Sequence, residues 1–238
     1  MTGSLEYAHA RMSARLGARP DDLAWRRIEP VRDLAPMLEA ARATALRQWL
    51  AGIGPTTPVH AIEALLRRRW REAVAEVASW MPEDWQPSIA WCARLPLLPA
   101  IAHLARGGAP LPWMRDEPGL RDPAPGLDPD HVADAWLEGW RERRPVRGGG
   151  DPALLEAIVR AIEGHVAAMR EPALADGTPA LRALEARLMQ LFRRATLDPA
   201  AAFAFLALEA LDLARLRGEI VRRAAFPGAA LTHPRVAA

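Results

Sequence analysis

The stretch "AAFAFLALEALDLARLRGEIVRRAAF", residues 201–226, decides how the rest of the chain is read. It opens on a nearly pure hydrocarbon surface and then fills with charge, and its Ala, Leu, Arg and Glu are helix-favouring residues. With successive residues about 100° apart, Phe203, Leu206, Ala210, Leu213, Ile220 and Val221 share one arc, while Glu209, Asp212, Arg215, Glu219 and Arg222 fall mostly off it. Arg217 lands inside the apolar arc. A buried guanidinium without a carboxylate or carbonyl partner is costly. Three readings of Arg217 follow: it is paired within the core, the arc is covered by another protein, or its stem packs while its head reaches water.

The same composition extends toward the N-terminus. β-branched residues are sparse and no stretch alternates apolar with polar, so the expected fold class is all-α. The pattern predicts a helix near 4–17, closed by Gly17 and restarted at Pro20-Asp21-Asp22, where an aspartate can cap the next helix. Pro30 and Pro36 suit the first turns of separate helices, so 21–51 is read as two or three pieces. A long helix follows at about 58–81, with Val59, Ile62, Leu65, Leu66, Trp70, Val74, Val77 and Met81 on one face. Residues 84–106 are helical but interrupted by Pro87, Pro96 and Pro99.

The composition then changes to "GGAPLPWMRDEPGLRDPAPGLDPD", which cannot continue a helix and reads as a linker or lid over 107–130. Helices resume near 129–143, 152–171, 178–196 and 199–226. The predicted organisation is an N-terminal helical half (1–106), the Pro/Gly-rich segment (107–130), a C-terminal helical half (131–226) and a flexible tail (227–238).

Composition removes several chemistries. All 31 basic residues are arginine, and the chain has neither lysine nor asparagine. A Walker A phosphate loop needs its lysine, Schiff-base and pyridoxal chemistry need an amine, and N-glycosylation needs asparagine. The net charge of +2 reflects 29 acidic residues interleaved with the arginines, so nucleic acid is not an expected partner. The single cysteine, Cys92, sits in an apolar segment and reads as a buried structural thiol, which suits the cytoplasm. The longest uninterrupted apolar runs are too short to cross a bilayer, and no signal-peptide pattern opens the chain; no transmembrane segment is expected.

Motifs for catalysis are equally sparse. No histidine has a second histidine three or four residues away, and His60 with Glu63 makes only two ligands, so no metal is expected. The sequence lacks G-x-S-x-G and G-x-G-x-x-G, and "GGG" at 148–150 reads as a turn. The run "LLRRRWRE" at 65–72 reads as a solvated helix face, since Glu63, Glu72 and Glu76 neutralise its arginines. Trp80, Trp85 and Trp91 read as core and helix-junction filling, whereas Trp113 is a candidate anchor for a partner protein.

Two stretches carry a resemblance. "DLARLR", Asp212 to Arg217, resembles the E-x-R-N-L-R pattern in the C-terminal helix of the C-type subunit of V/A-type ATPases, the relative of the vacuolar d-type subunit. It matches at the acid, Leu216 and Arg217, with Ala214 and Arg215 in place of Arg and Asn. "YAHARMSAR", Tyr7 to Arg15, is similar to the family's opening Y-x-x-A-R-x-x-A, with Tyr7 and Arg11 at i and i+4. As a short and diverged relative, the chain would be an all-α bowl or bundle without cofactors. Its function would be non-enzymatic: an adaptor on the membrane rotor ring that receives the central shaft, with Tyr7, Arg11 and Arg217 fixing internal packing. Its partners would then be ATPase rotor-ring and central-shaft subunits, and it would be cytoplasmic, peripheral at the inner membrane. The alternative is a stand-alone helical protein-interaction scaffold, with contacts from Trp113 and the proline-rich segment. A third class, an enzyme with a site assembled between the halves, would need converging carboxylates and histidines.

Overall fold

A computed structural model describes residues 3–120, 127–146, 149–170 and 178–226, with the side chains of 165–170 and 178 left aside. The tail expected at 227–238 and the centre of the proline-rich segment, 121–126, lie outside the described residues. Every regular element among the described residues is helical. In chain order they are α1 (Leu5–Gly17), α2 (Asp22–Ile28), α3 (Leu34–Arg42), α4 (Val59–Trp80), α5 (Gln86–Trp91), α6 (Leu98–Ala105), α7 (Pro112–Arg115), α8 (Val132–Glu142), α9 (Pro152–Arg170), α10 (Thr178–Arg194) and α11 (Ala200–Ala225). Tight 3-10 turns at Ala45–Trp49, Glu83–Trp85, Cys92–Leu97 and Pro118–Leu120 fill the gaps.

The punctuation follows the residues. Asp21 caps α2 by accepting the backbone N–H of Ala24 at 2.8 Å, and Thr44 accepts Leu46 N–H at the start of a 3-10 turn. Pro36 lies in the first turn of α3, while Pro30 lies between α2 and α3. Pro87 and Pro99 are the second residues of α5 and α6, in the first turn, where a missing N–H breaks no helical hydrogen bond. Pro96 sits within a 3-10 turn. Glu83–Ala105 is long and apolar enough by length and composition to cross a membrane, with a mean hydropathy of 1.3, but it is built from four short pieces. Its Trp85, Ile89, Leu97 and Ile101 are buried in the protein.

The chain forms two compact units, each drawn from separated segments. The first comprises residues 1–10 and 71–204. Its core contains Phe203, whose ring meets those of Trp85 and Trp140 edge-on with centroids 6.2 and 5.2 Å away. A satellite cluster of Leu97, Ala100, Ile101, Met114, Leu120 and Val132 is packed by Trp113. The proline-rich segment is therefore anchored up to Leu120, and the buried Glu117 pairs with Arg71 at 2.7 Å. Helices α9 and α10 pack on each other. Before α11, Leu197 takes a left-handed φ of 56°, and Asp198 accepts both Ala200 N–H at 2.8 Å and Asp151 N–H at 2.6 Å. One carboxylate thus serves the starts of two helices.

The second unit comprises residues 11–70 and 205–238. Met12, Trp25, Ile28, Met37, Leu38, Leu46, Trp49 and Ile53 are buried, as are Ile62, Leu66 and Trp70 on the apolar stripe of α4. Phe205, Leu206, Leu208, Leu213, Leu216 and Ile220 supply the α11 side of this core.

Candidate functional site

The densest set of buried charge belongs to the second unit and centres on α11. Its first two turns are apolar on every side, with Ala200 to Leu206 and Leu208 all buried. Beyond them the buried positions are Glu209, Asp212, Leu213, Leu216, Ile220 and Arg223. Their i, i+3, i+4, i+7 spacing makes a single stripe with acidic and basic groups built into it.

Asp212 is 6% exposed and accepts Arg19 Nε at 2.7 Å and Arg19 Nη2 at 2.8 Å. Both side chains of this fork are 8% exposed, so the pair is desolvated and held by matched planar groups. One turn earlier, Glu209 is 4% exposed and accepts Gln48 Nε2 at 2.8 Å. Burial and then the neighbouring Asp212 charge push its carboxyl up to about 7, against the opposing influence of Gln48, Arg15 and Arg19. Arg19 forks onto Asp212, and the hydrogen bond that meets Glu209 comes from the neutral amide of Gln48. The arrangement can hold or release one proton near neutrality. At 4% exposure the Glu209 carboxyl is closed off from solvent in this conformation.

The far end of α11 is clamped too. Arg215 forks onto Glu29 at 2.7 and 2.6 Å while its guanidinium carbon lies 4.3 Å from the Trp25 ring centroid. Arg223, 4% exposed, donates to the backbone carbonyls of Glu29 and Val31 at 2.8 Å each and to Glu219. It fastens the α2–α3 connection to the last turns of α11.

The residues singled out from sequence are placed differently from one another. Asp212 is interior and belongs to this cluster. Arg217 is at the surface: its side chain is 55% exposed and forks onto Glu63 at 2.9 and 2.6 Å, and that hydrogen bond raises its pKa. The interior guanidinium of this helix is Arg223. The apolar arc drawn from sequence was tilted because residues 201–208 are apolar all round and carry no phase information; the stripe set by Glu209 to Arg223 leaves Arg217 about 90° from its centre. Tyr7 is 49% exposed and Arg11 is also exposed. Trp113 is half-buried on its satellite cluster. Glu209, Arg19, Gln48 and Arg223 were missed; the signal for Glu209 and Arg223 was their i, i+3, i+4 relation to Leu213, Leu216 and Ile220.

Cys92 is buried and its thiol is pushed up to about 12 by burial, so it is unreactive in the folded chain. Among the described residues no group of three or more His, Cys, Asp or Glu side chains is gathered to hold a metal ion. Glu63, considered with His60 as a ligand pair, is engaged instead by Arg217 and, at 3.9 Å, by Arg67. No family model, no curated protein and no solved structure matches the chain.

Proposed function

We propose that the chain is a non-enzymatic helical adaptor akin to the C-type subunit of V/A-type ATPases, a diverged part that couples a central shaft to a membrane rotor ring. The observation that carries this reading is the bracing of α11. From Asp212 to Arg223 its charged side chains are used on Arg19, Glu29, Glu63 and the carbonyls of the α2–α3 connection. Such cross-bracing at roughly one clamp per turn resists sliding and rotation of the helix within its unit, as transmitting torque through packing requires. Two of the positions behind the sequence resemblance, Asp212 and Arg217, are among the clamping residues. In this reading the protein is cytoplasmic and reaches the inner membrane through its complex.

Affinity purification of the tagged chain at native expression level, from gently solubilised cells, followed by mass spectrometry, tests it. Recovery of rotor-ring or shaft subunits is the expected result. A reproducible partner of another kind, with rotor subunits missing, replaces the proposal with a stand-alone interaction scaffold.

A further inference from the structure

The first unit contains a cleft of about 370 Å³ between the α5–α6 region and α8. That is within the size range of small-ligand sites. Leu98, Ile101, Val132 and the rings of Trp91 and Trp136 supply its apolar walls. Gly139 lets Trp91 approach α8, because a Cβ there would meet the indole at 2.8 Å. The Trp91 indole N–H donates to the Trp136 carbonyl at 2.9 Å, which fixes the ring.

Two guanidiniums converge on that ring. The Cζ of Arg143 lies 3.8 Å from its centroid and that of Arg94 lies 4.6 Å away. Their circumstances differ. Arg143 donates to the Gly139 carbonyl at 2.6 Å and stands 3.8 Å from Glu142. Among the described residues Arg94 has no carboxylate partner, and burial together with the Arg143 charge lowers its pKa. An apolar cleft with an unneutralised arginine at its edge is complementary to an anion that carries a hydrocarbon body. The two acids of the lining, Glu138 and Glu142, expose 66% and 68% of their side chains. They disfavour a second negative charge on the ligand and place the anion on the Arg94 side.

We propose that this cleft binds a small monocarboxylate with an apolar tail, its carboxylate on Arg94 and its tail against Trp91, Leu98, Ile101, Val132 and Trp136. The site is separate from the α11 cluster and does not depend on the adaptor reading.

Isothermal titration of the full chain with octanoate, and with octanol as the uncharged counterpart, tests this. Saturable octanoate binding is expected, with octanol at least about tenfold weaker. Arg94→Met keeps the aliphatic stem on Trp91, removes the charge, and should weaken octanoate binding at least about tenfold. Ala135→Trp, at an exposed position of the lining, should abolish it by filling the cleft. Absence of saturable binding at about 1 mM octanoate overturns the proposal, as does equal binding of octanol or an unchanged affinity in a folded Arg94→Met. Should Arg94→Met not fold by circular dichroism, Ala135→Trp decides, and undiminished binding there overturns the site.

Discussion

Burial separates the charged residues of α11 by what their removal should cost. The Arg19–Asp212 fork is desolvated on both sides, so Asp212→Ala strands a buried guanidinium and should destabilise by about 3–5 kcal/mol, measured by urea unfolding. The double substitution Arg19→Met with Asp212→Leu removes both charges together and should recover most of that loss. Arg223→Ala leaves the carbonyls of Glu29 and Val31 without their donor, and a loss of about 3 kcal/mol is expected in the same assay. Arg217→Ala should cost no more than about 1 kcal/mol, because its partner Glu63 is met at the surface. A ranking with Arg217 above Arg223 would mean that the stripe has been placed on the wrong face of the helix.

The elements themselves were legible in sequence where local chemistry decides them. The apolar stripe of α4 and the cap at Asp21 follow from side-chain spacing and donor satisfaction within a few residues. The proline-interrupted stretch after Trp85 resolves into α5, a 3-10 turn and α6 for the same reason. The phase of α11 is blurred in sequence by its uniformly apolar opening turns; the spacing of Leu213, Leu216 and Ile220 carries it, and the partners Arg19, Gln48 and Glu29, far away in sequence, fit that spacing. Asp198 is a second case, a cap shared with a segment 47 residues away. Asp198→Ala should remove both acceptors and cost about 2 kcal/mol, and amide hydrogen exchange should speed up at Asp151 and Ala200 alike. Faster exchange at Ala200 with Asp151 unchanged would show that the two helix starts are capped independently.

For the whole molecule, composition excludes lysine-dependent chemistries outright but does not show which side chains meet. The Glu209 site is an example: no motif marks it, and its raised pKa is set by burial and then by Asp212, opposed by Gln48, Arg15 and Arg19 from distant segments of the chain. Its folded value of about 7 lies above the ordinary carboxylate range. Protonation is therefore favoured by the folded state. This contribution is fully present below about pH 4.5 and is lost as pH rises through 7, so stability should fall across that window by roughly 3 kcal/mol. Glu209→Gln keeps an acceptor for Gln48 without the charge. The difference in unfolding free energy between Glu209→Gln and the parent chain should grow from near zero at about pH 4 to its full size near pH 8. A difference independent of pH would place the carboxyl outside this reading.

The seclusion of Cys92 has one more consequence, for how the molecule can be observed. The chain's only thiol is masked by the fold and there are no lysine amines, so the folded surface is almost blank toward thiol- and amine-directed reagents. A cysteine introduced at an exposed position such as Ala135 would react alone, and a spectroscopic label attached there would report from a single site without deletion of any native residue.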